Sequence, residues 1–134
     1  MINALRFEVP GEPVSKGRPR STADGHHYTP AKTVAYERLV AWTAKAAMGS
    51  ADRIAGPVSV LIVATWGIPA SWSKKRSQAA MGGPKTSKPD VDNIAKICCD
   101  AMNGVVWNDD AQVHDLRCRK CYGLEPGVVI EVTA

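Results

Sequence analysis

The sequence predicts a single α+β domain, a small sheet with helices packed against it. Short β-branched runs with alternating polarity lie near both ends and in the middle of the chain, two longer segments repeat apolar residues at helical spacing, and the elements follow in the order β-α-β-α-α-β-β. That order lacks the strict alternation of a doubly wound sheet, and mixed layering is what remains. The 134 residues contain no repeat and no linker long enough to divide them, so one domain over residues 1–134 is expected.

Each element has its own signal. Leu5, Phe7 and Val9 alternate with Ala4, Arg6 and Glu8, a half-buried strand ended by Pro10-Gly11. Residues 11–29 read as a loop rich in Gly, Pro, Ser and basic side chains. Thr29-Pro30 then starts a helix to about Met48, with Val34, Tyr36, Leu39, Val40, Thr43 and Ala47 on its buried side and Gly49 as its stop. Val58 to Trp66 is a β-branched, mostly apolar strand between Gly56-Pro57 and Gly67. Ser71 can cap a short basic helix to Met81. Asp92 or Asn93 can cap the next helix, whose Ile94, Ile97, Cys98, Ala101 and Met102 share a face up to Gly104. A turn at Trp107 to Asp110 leads into strands from Ala111 to Tyr122 and from Val128 to Thr133.

Composition narrows the class. Apolar residues at 45% and charged residues at 22% suit a folded soluble protein rather than a disordered tail. The longest apolar stretch, Val58 to Ile68, is interrupted by Ser59, Thr65 and Gly67 and is too short to span a bilayer. Met1 to Arg6 shows no secretory pattern, and with four cysteines the expected setting is a reducing cytoplasm. The net charge of +4 is uneven: residues 1–89 carry 13 Lys/Arg against 5 Asp/Glu, and residues 90–134 carry 4 against 8. A basic body with an acidic last third suits a protein that attracts a polyanion and holds a divalent cation against it, although ordinary surface charge gives the same tally.

The acids sharpen this. Asp90 and Asp92 lie two apart where an extended segment meets a helix, so their side chains can share one side. Asp92, Lys96 and Asp100 then stack at intervals of four. A tight return can bring Asp109 and Asp110 beside them. Clustered carboxylates are costly without a cation, and Mg²⁺ takes one or two of them with waters and substrate phosphate. The same residues also read as a helix cap, an i,i+4 ion pair and a polar turn. An EF-hand is excluded, because Ile94, Ala95 and Ala101 occupy positions that need Asp or Asn, Gly and Glu.

Lys88-Pro89-Asp90-Val91-Asp92-Asn93, with Lys96, Asp100-Ala101-Met102-Asn103-Gly104 and Asp109-Asp110-Ala111-Gln112-Val113, resembles the RusA family of Holliday-junction resolvases. The resemblance continues upstream through Ser71-Trp72-Ser73-Lys74-Lys75 and Lys16-Gly17-Arg18-Pro19-Arg20, and so covers most of the chain. It implies a small homodimeric endonuclease, commonly of phage or prophage origin, that cuts four-way DNA junctions in recombination and repair. It also implies Mg²⁺ as cofactor, with Mn²⁺ able to stand in. Carried over by motif, Asp90, Asp92 and Asp110 match metal-binding aspartates and Lys96 a catalytic lysine, while Asp100 and Asp109 match further acidic positions.

The basic residues suit a DNA surface. Alternating small and basic side chains at Lys16, Arg18 and Arg20 let backbone and guanidinium approach phosphate, and Lys74, Lys75, Arg76, Lys85 and Lys88 can extend that surface. Trp72 and Tyr28 are candidates for base stacking or for partly buried anchors. His26, His27 and His114 lack ligand spacing. Cys118-x-x-Cys121 invites a zinc reading, but strand positions three apart face opposite sides, and the adjacent helical residues Cys98 and Cys99 diverge. Free thiols and no structural zinc are expected. Two non-enzymatic readings remain from sequence: a junction- or single-strand-binding module with a structural acidic patch, and a regulatory protein that docks through Val58–Ile68. For the dimer contact the sequence offers Val58–Ile68 or the helix Ile94–Met102.

Overall fold

A computed structural model describes residues 2–17 and 20–134. The chain forms β1 (Ala4–Pro10), β2 (Arg20–Ser21), β3 (His27–Tyr28), α1 (Ala31–Met48), β4 (Val58–Gly67), α2 (Lys74–Ala80), α3 (Val91–Met102), β5 (Val113–Gly123) and β6 (Gly127–Thr133). A 3-10 turn at Asp110–Gln112 leads into β5. The main sheet has the order β1-β6-β4-β5, antiparallel except for the parallel pair β4 and β5, and β2 and β3 make a separate two-stranded ribbon. A parallel pair needs a long crossover, and here the crossover carries α2, α3 and the acidic turn.

The alternation read from sequence is what buries the sheet. Leu5, Phe7 and Val9 on β1, Val58 to Trp66 at every second residue on β4, and Val128, Ile130 and Val132 on β6 face one side. Helices α1 and α3 pack there, and α3 contributes Ile94, Ile97, Cys98, Ala101 and Met102. Gly104 ends α3 at φ +77, a left-handed geometry that glycine adopts without strain.

Several boundaries and faces differ from expectation. Helix α1 buries Thr33, Tyr36, Val40, Ala44 and Met48, and Leu39 is 43% exposed. The helix is alanine-rich and apolar on most sides, so its contacts with β1 and α3, not its periodicity, choose the buried line. Pro30 is the N-cap itself, with ψ 139 outside the helical range. Ser73, not Ser71, caps α2 by accepting from Arg76 N–H at 3.2 Å. Asp90, not Asp92 or Asn93, caps α3. Residues 110–112, read as turn and strand, form the 3-10 turn, which shifts the start of β5 to Val113. β4 is a central strand with both edges paired, so it offers no free edge to a second chain.

Candidate active site

The outer face of α3 carries the spacing seen in the sequence. Asp92, Lys96 and Asp100 rise turn by turn on the side opposite the buried residues, and all three line one cleft of about 510 Å³. Its other wall comes from Asp110 and from Val113, His114, Asp115 and Leu116 at the start of β5. The helix-to-strand return therefore puts Asp110 on the same cleft as Asp92. His114 and Asp115 belong to this wall although sequence reasoning left them out. Only the parallel pairing of β5 places them there, and nothing local signals it.

Asp110 is held by the core. Its Oδ1 accepts from Trp107 Nε1 at 2.9 Å, and Trp107 is 0% exposed. Gln112 clamps the same turn with both ends of its amide. Its Oε1 accepts the N–H groups of Asn108 (2.8 Å) and Asp109 (2.9 Å), and its Nε2 donates to the carbonyls of Ile54 (2.8 Å) and Gly56 (2.9 Å). Asp109 is spent on a capping box, accepting from Ala111 N–H at 3.4 Å, and does not line the cleft.

Asp90 has a different setting. At the N-cap of α3 Asp90 is itself extended (φ -68, ψ 145), but Val91 and Asp92 are already helical, so the alternation that would align the two acids is broken. It is absent from the cleft lining, and its Oδ1 takes Lys88 Nζ at 2.8 Å. The segment before it is tied down by Lys120, whose Nζ donates to Ser87 O (2.8 Å) and Pro89 O (2.6 Å). Sequence reasoning missed Lys120, Trp107 and Gln112 as supports, since each acts across a long stretch of chain or through a tertiary contact.

Asp100 Oδ2 lies 3.6 Å from Lys96 Nζ and 3.2 Å from Lys16 Nζ, and Lys16 also meets Glu37 Oε1 at 3.1 Å. Burial alone would lower the Lys16 pKa, but the hydrogen bonds and charges of Glu37 and Asp100 outweigh it and hold the pKa above its ordinary value. Lys16 is thus a half-buried bridge from α1 to α3. Its neighbour Gly17 donates to the buried Thr33 Oγ1 at 3.1 Å, and a Cβ there would come within 2.8 Å of that oxygen.

Among the described residues, no group of three or more His, Cys, Asp or Glu side chains converges as a metal-holding cluster. Asp92 and Asp110 in one cleft are nevertheless the donor set that suits Mg²⁺, which binds through one or two carboxylates and completes its shell with water and substrate oxygen. The adjoining thiol is a poor rival. Burial, and then the nearby Asp110 and Asp100, push Cys99 up to about 12, and burial pushes Cys118 up to about 11.

The basic residues divide. Arg20 and Lys88 line a second groove with Lys32, a cation the sequence reading overlooked. Arg18 lies outside the described residues. Lys74 and Lys75 are exposed at the start of α2. Arg76 lies 3.7 Å over the Trp72 ring, which meets Tyr122 edge-on at 5.2 Å, and Lys85 Nζ sits 5.5 Å from the Trp66 ring and 5.3 Å from the Tyr122 ring. Trp72 is therefore a partly buried anchor, while Tyr28 is exposed. No described helix is long and apolar enough to cross a membrane.

Carboxylates and a lysine gathered in one cleft, with a separate groove lined by basic residues, fit a nuclease, and a comparison with known families decides the matter. The family model for endodeoxyribonuclease RusA matches residues 10–133. The chain belongs to the RusA family. The match takes in the cleft, the Lys88–Asp92 segment and all the basic positions above, so the RusA assignment rests on nearly the whole domain. The chain is also similar to YqaN of Bacillus subtilis (strain 168), a protein described as uncharacterized, with 38% identity over 138 residues covering 98% of this chain and 96% of YqaN.

Proposed function

We propose that this protein is a Mg²⁺-dependent, homodimeric endonuclease that cuts four-way DNA junctions by phosphodiester hydrolysis in recombination and repair. The observation that carries the reading is the meeting of Asp92, Lys96, Asp100 and Asp110 in one cleft of a RusA-family chain. Asp92 and Asp110, with Asp90 as a third carboxylate, are the residues we assign to the metal. When bound, Mg²⁺ supplies relief of charge on the scissile phosphate and acidifies a water.

The chain's own residues supply the rest. Trp107 and Gln112 fix the Asp110 carboxylate before any ligand arrives, so orienting it costs little at the moment of reaction. Lys96, one turn beyond Asp92 and mostly exposed, offers a cation to the phosphate as its charge grows. Asp100 keeps that amine on the cleft side while Lys16 takes up part of the Asp100 charge. Arg20, Lys32, Lys74, Lys75 and Lys88 provide phosphate contacts for duplex arms.

Incubation of the free protein with a synthetic four-way junction, with and without Mg²⁺, tests this. Paired nicks near the crossover only with Mg²⁺ are expected. Tight binding without cutting under any divalent metal would instead make the protein a junction-binding module.

A further inference from the structure

Strand β5 runs along the rim of the main sheet, and its two halves are unlike. Segment 82–85 covers the later half: Tyr122 N–H donates to Gly83 O (3.0 Å), Gly82 N–H to Tyr122 O (2.9 Å) and Lys85 N–H to Lys120 O (3.0 Å). These bonds show that even-numbered residues aim their backbone groups outwards. By the same alternation Leu116 and Cys118 aim theirs at the rim, the register with β4 shifting at His114, and among the described residues no backbone group meets them. At that place Leu116 is 46% exposed, although it is level with Val60, which is 2% exposed. The rim thus leaves both backbone groups and an apolar side chain to solvent.

We propose that a second copy of this chain pairs along residues 114–118 in antiparallel register, with Leu116 opposite the partner's Leu116. The local sequence is its own complement in that register. Centring on Leu116 sets Asp115 against the partner's Arg117 and Arg117 against the partner's Asp115, all on the sheet face away from the helices. Both charged groups are substantially exposed and only loosely paired within one chain, at 3.9 Å. A row of like charges would instead repel a partner strand. The opposite rim, β1, also alternates as Arg6-Phe7-Glu8, but Phe7 is only 6% exposed, and Arg6 already meets Glu8 at 3.0 Å and Glu131 at 3.6 Å.

Edge pairing about a two-fold axis keeps the helices of both copies on one side of an extended sheet. His114, Asp115 and Leu116 also line the cleft, so the two clefts would flank the axis and open towards the same side. This arrangement rests on the reading as a dimeric junction endonuclease and specifies its interface.

The test reads mass by light scattering of free protein and junction cleavage separately. The wild type should run at about 29 kDa, twice the 14.4 kDa chain. Arg117→Glu places carboxylates opposite one another at two symmetric points and should weaken dimerisation at least about tenfold. The double variant Asp115→Arg, Arg117→Asp restores complementarity and should be a dimer, whether or not the single variant folds. Arg6→Glu on the other rim should leave the mass unchanged. A monomeric wild type, a folded but monomeric double variant, or dissociation by Arg6→Glu but not by Arg117→Glu would overturn the interface. Mg²⁺-dependent cutting that persists in any of those cases would leave the junction reading standing, whereas a dimer with this charge pattern that never cuts would sustain the interface and defeat that reading.

Discussion

Asp110 and Asp90 stand on opposite approaches to α3 and are supported in opposite ways. Asp110 sits on a turn anchored to the body of the protein: a buried indole N–H holds its oxygen, and one glutamine amide ties the turn to the loop at 54–56. Asp90 sits at an exposed cap and shares an oxygen with the exposed Lys88. The contrast teaches that one carboxylate is fixed in advance, while the other is held by a contact that water and salt compete for. The proposed metal site, which reaches past the cleft lining to Asp90, thus has a rigid wall and an adjustable one.

The largest expected effect comes from the rigid wall. Asp110→Asn should cut junction cleavage by more than about a hundredfold, beyond the range seen for supports of metal ligands, while junction binding persists or tightens as a negative charge is lost. Gel cleavage and mobility-shift assays would read both, and near-normal cutting would remove Asp110 from the proposed metal set. Next is Gln112→Glu. The new carboxylate still accepts from Asn108 and Asp109 but now faces the carbonyls of Ile54 and Gly56. The expected cost is about 2 kcal/mol, or roughly 5–10 °C in Tm, with activity falling about 10–100-fold below the melting range. Activity at the wild-type level despite a lower Tm would show that the clamp serves stability alone. The smallest effect should come from Lys88→Ala, at under about 1 kcal/mol in stability for an exposed pair. It should lower the Mg²⁺ needed for half-maximal cleavage about two- to threefold by removing a competing cation beside Asp90, and weaken junction binding through the lost cation. An increase in the Mg²⁺ requirement would erase the distinction between the two walls.

The difference between the walls also explains what could be read from sequence. Asp92, Lys96 and Asp100 share a face because helical spacing alone decides it, and the alternation of β1, β4 and β6 is equally local. The turn at Asp109-Asp110 was visible as turn chemistry, but Trp107 and Gln112 act through a buried indole and a loop some 56 residues earlier in the chain, which no window reveals. Lys16 shows another tertiary contact hidden from sequence. Its place in a basic loop points to phosphate contact, and Glu37 and Asp100 also converge on it from two helices. In α1 the apolar residues cover too much of the circumference for periodicity to choose Thr33 and Ala44 over Val34 and Leu39. The two-residue strands β2 and β3 are too short to leave a periodic trace.

The order of the sheet has a consequence for synthesis. β6 follows every other element along the chain, yet it lies between β1 and β4 and pairs with both. A ribosome therefore delivers every residue of the cleft before the strand that joins the two parts of the sheet. Until β6 emerges, β1 has no neighbour and β4 keeps one bare side. The nascent polypeptide carries its acidic segment without the framework that aims it, and the proposed DNA-cutting centre is assembled only when the central strand closes the gap.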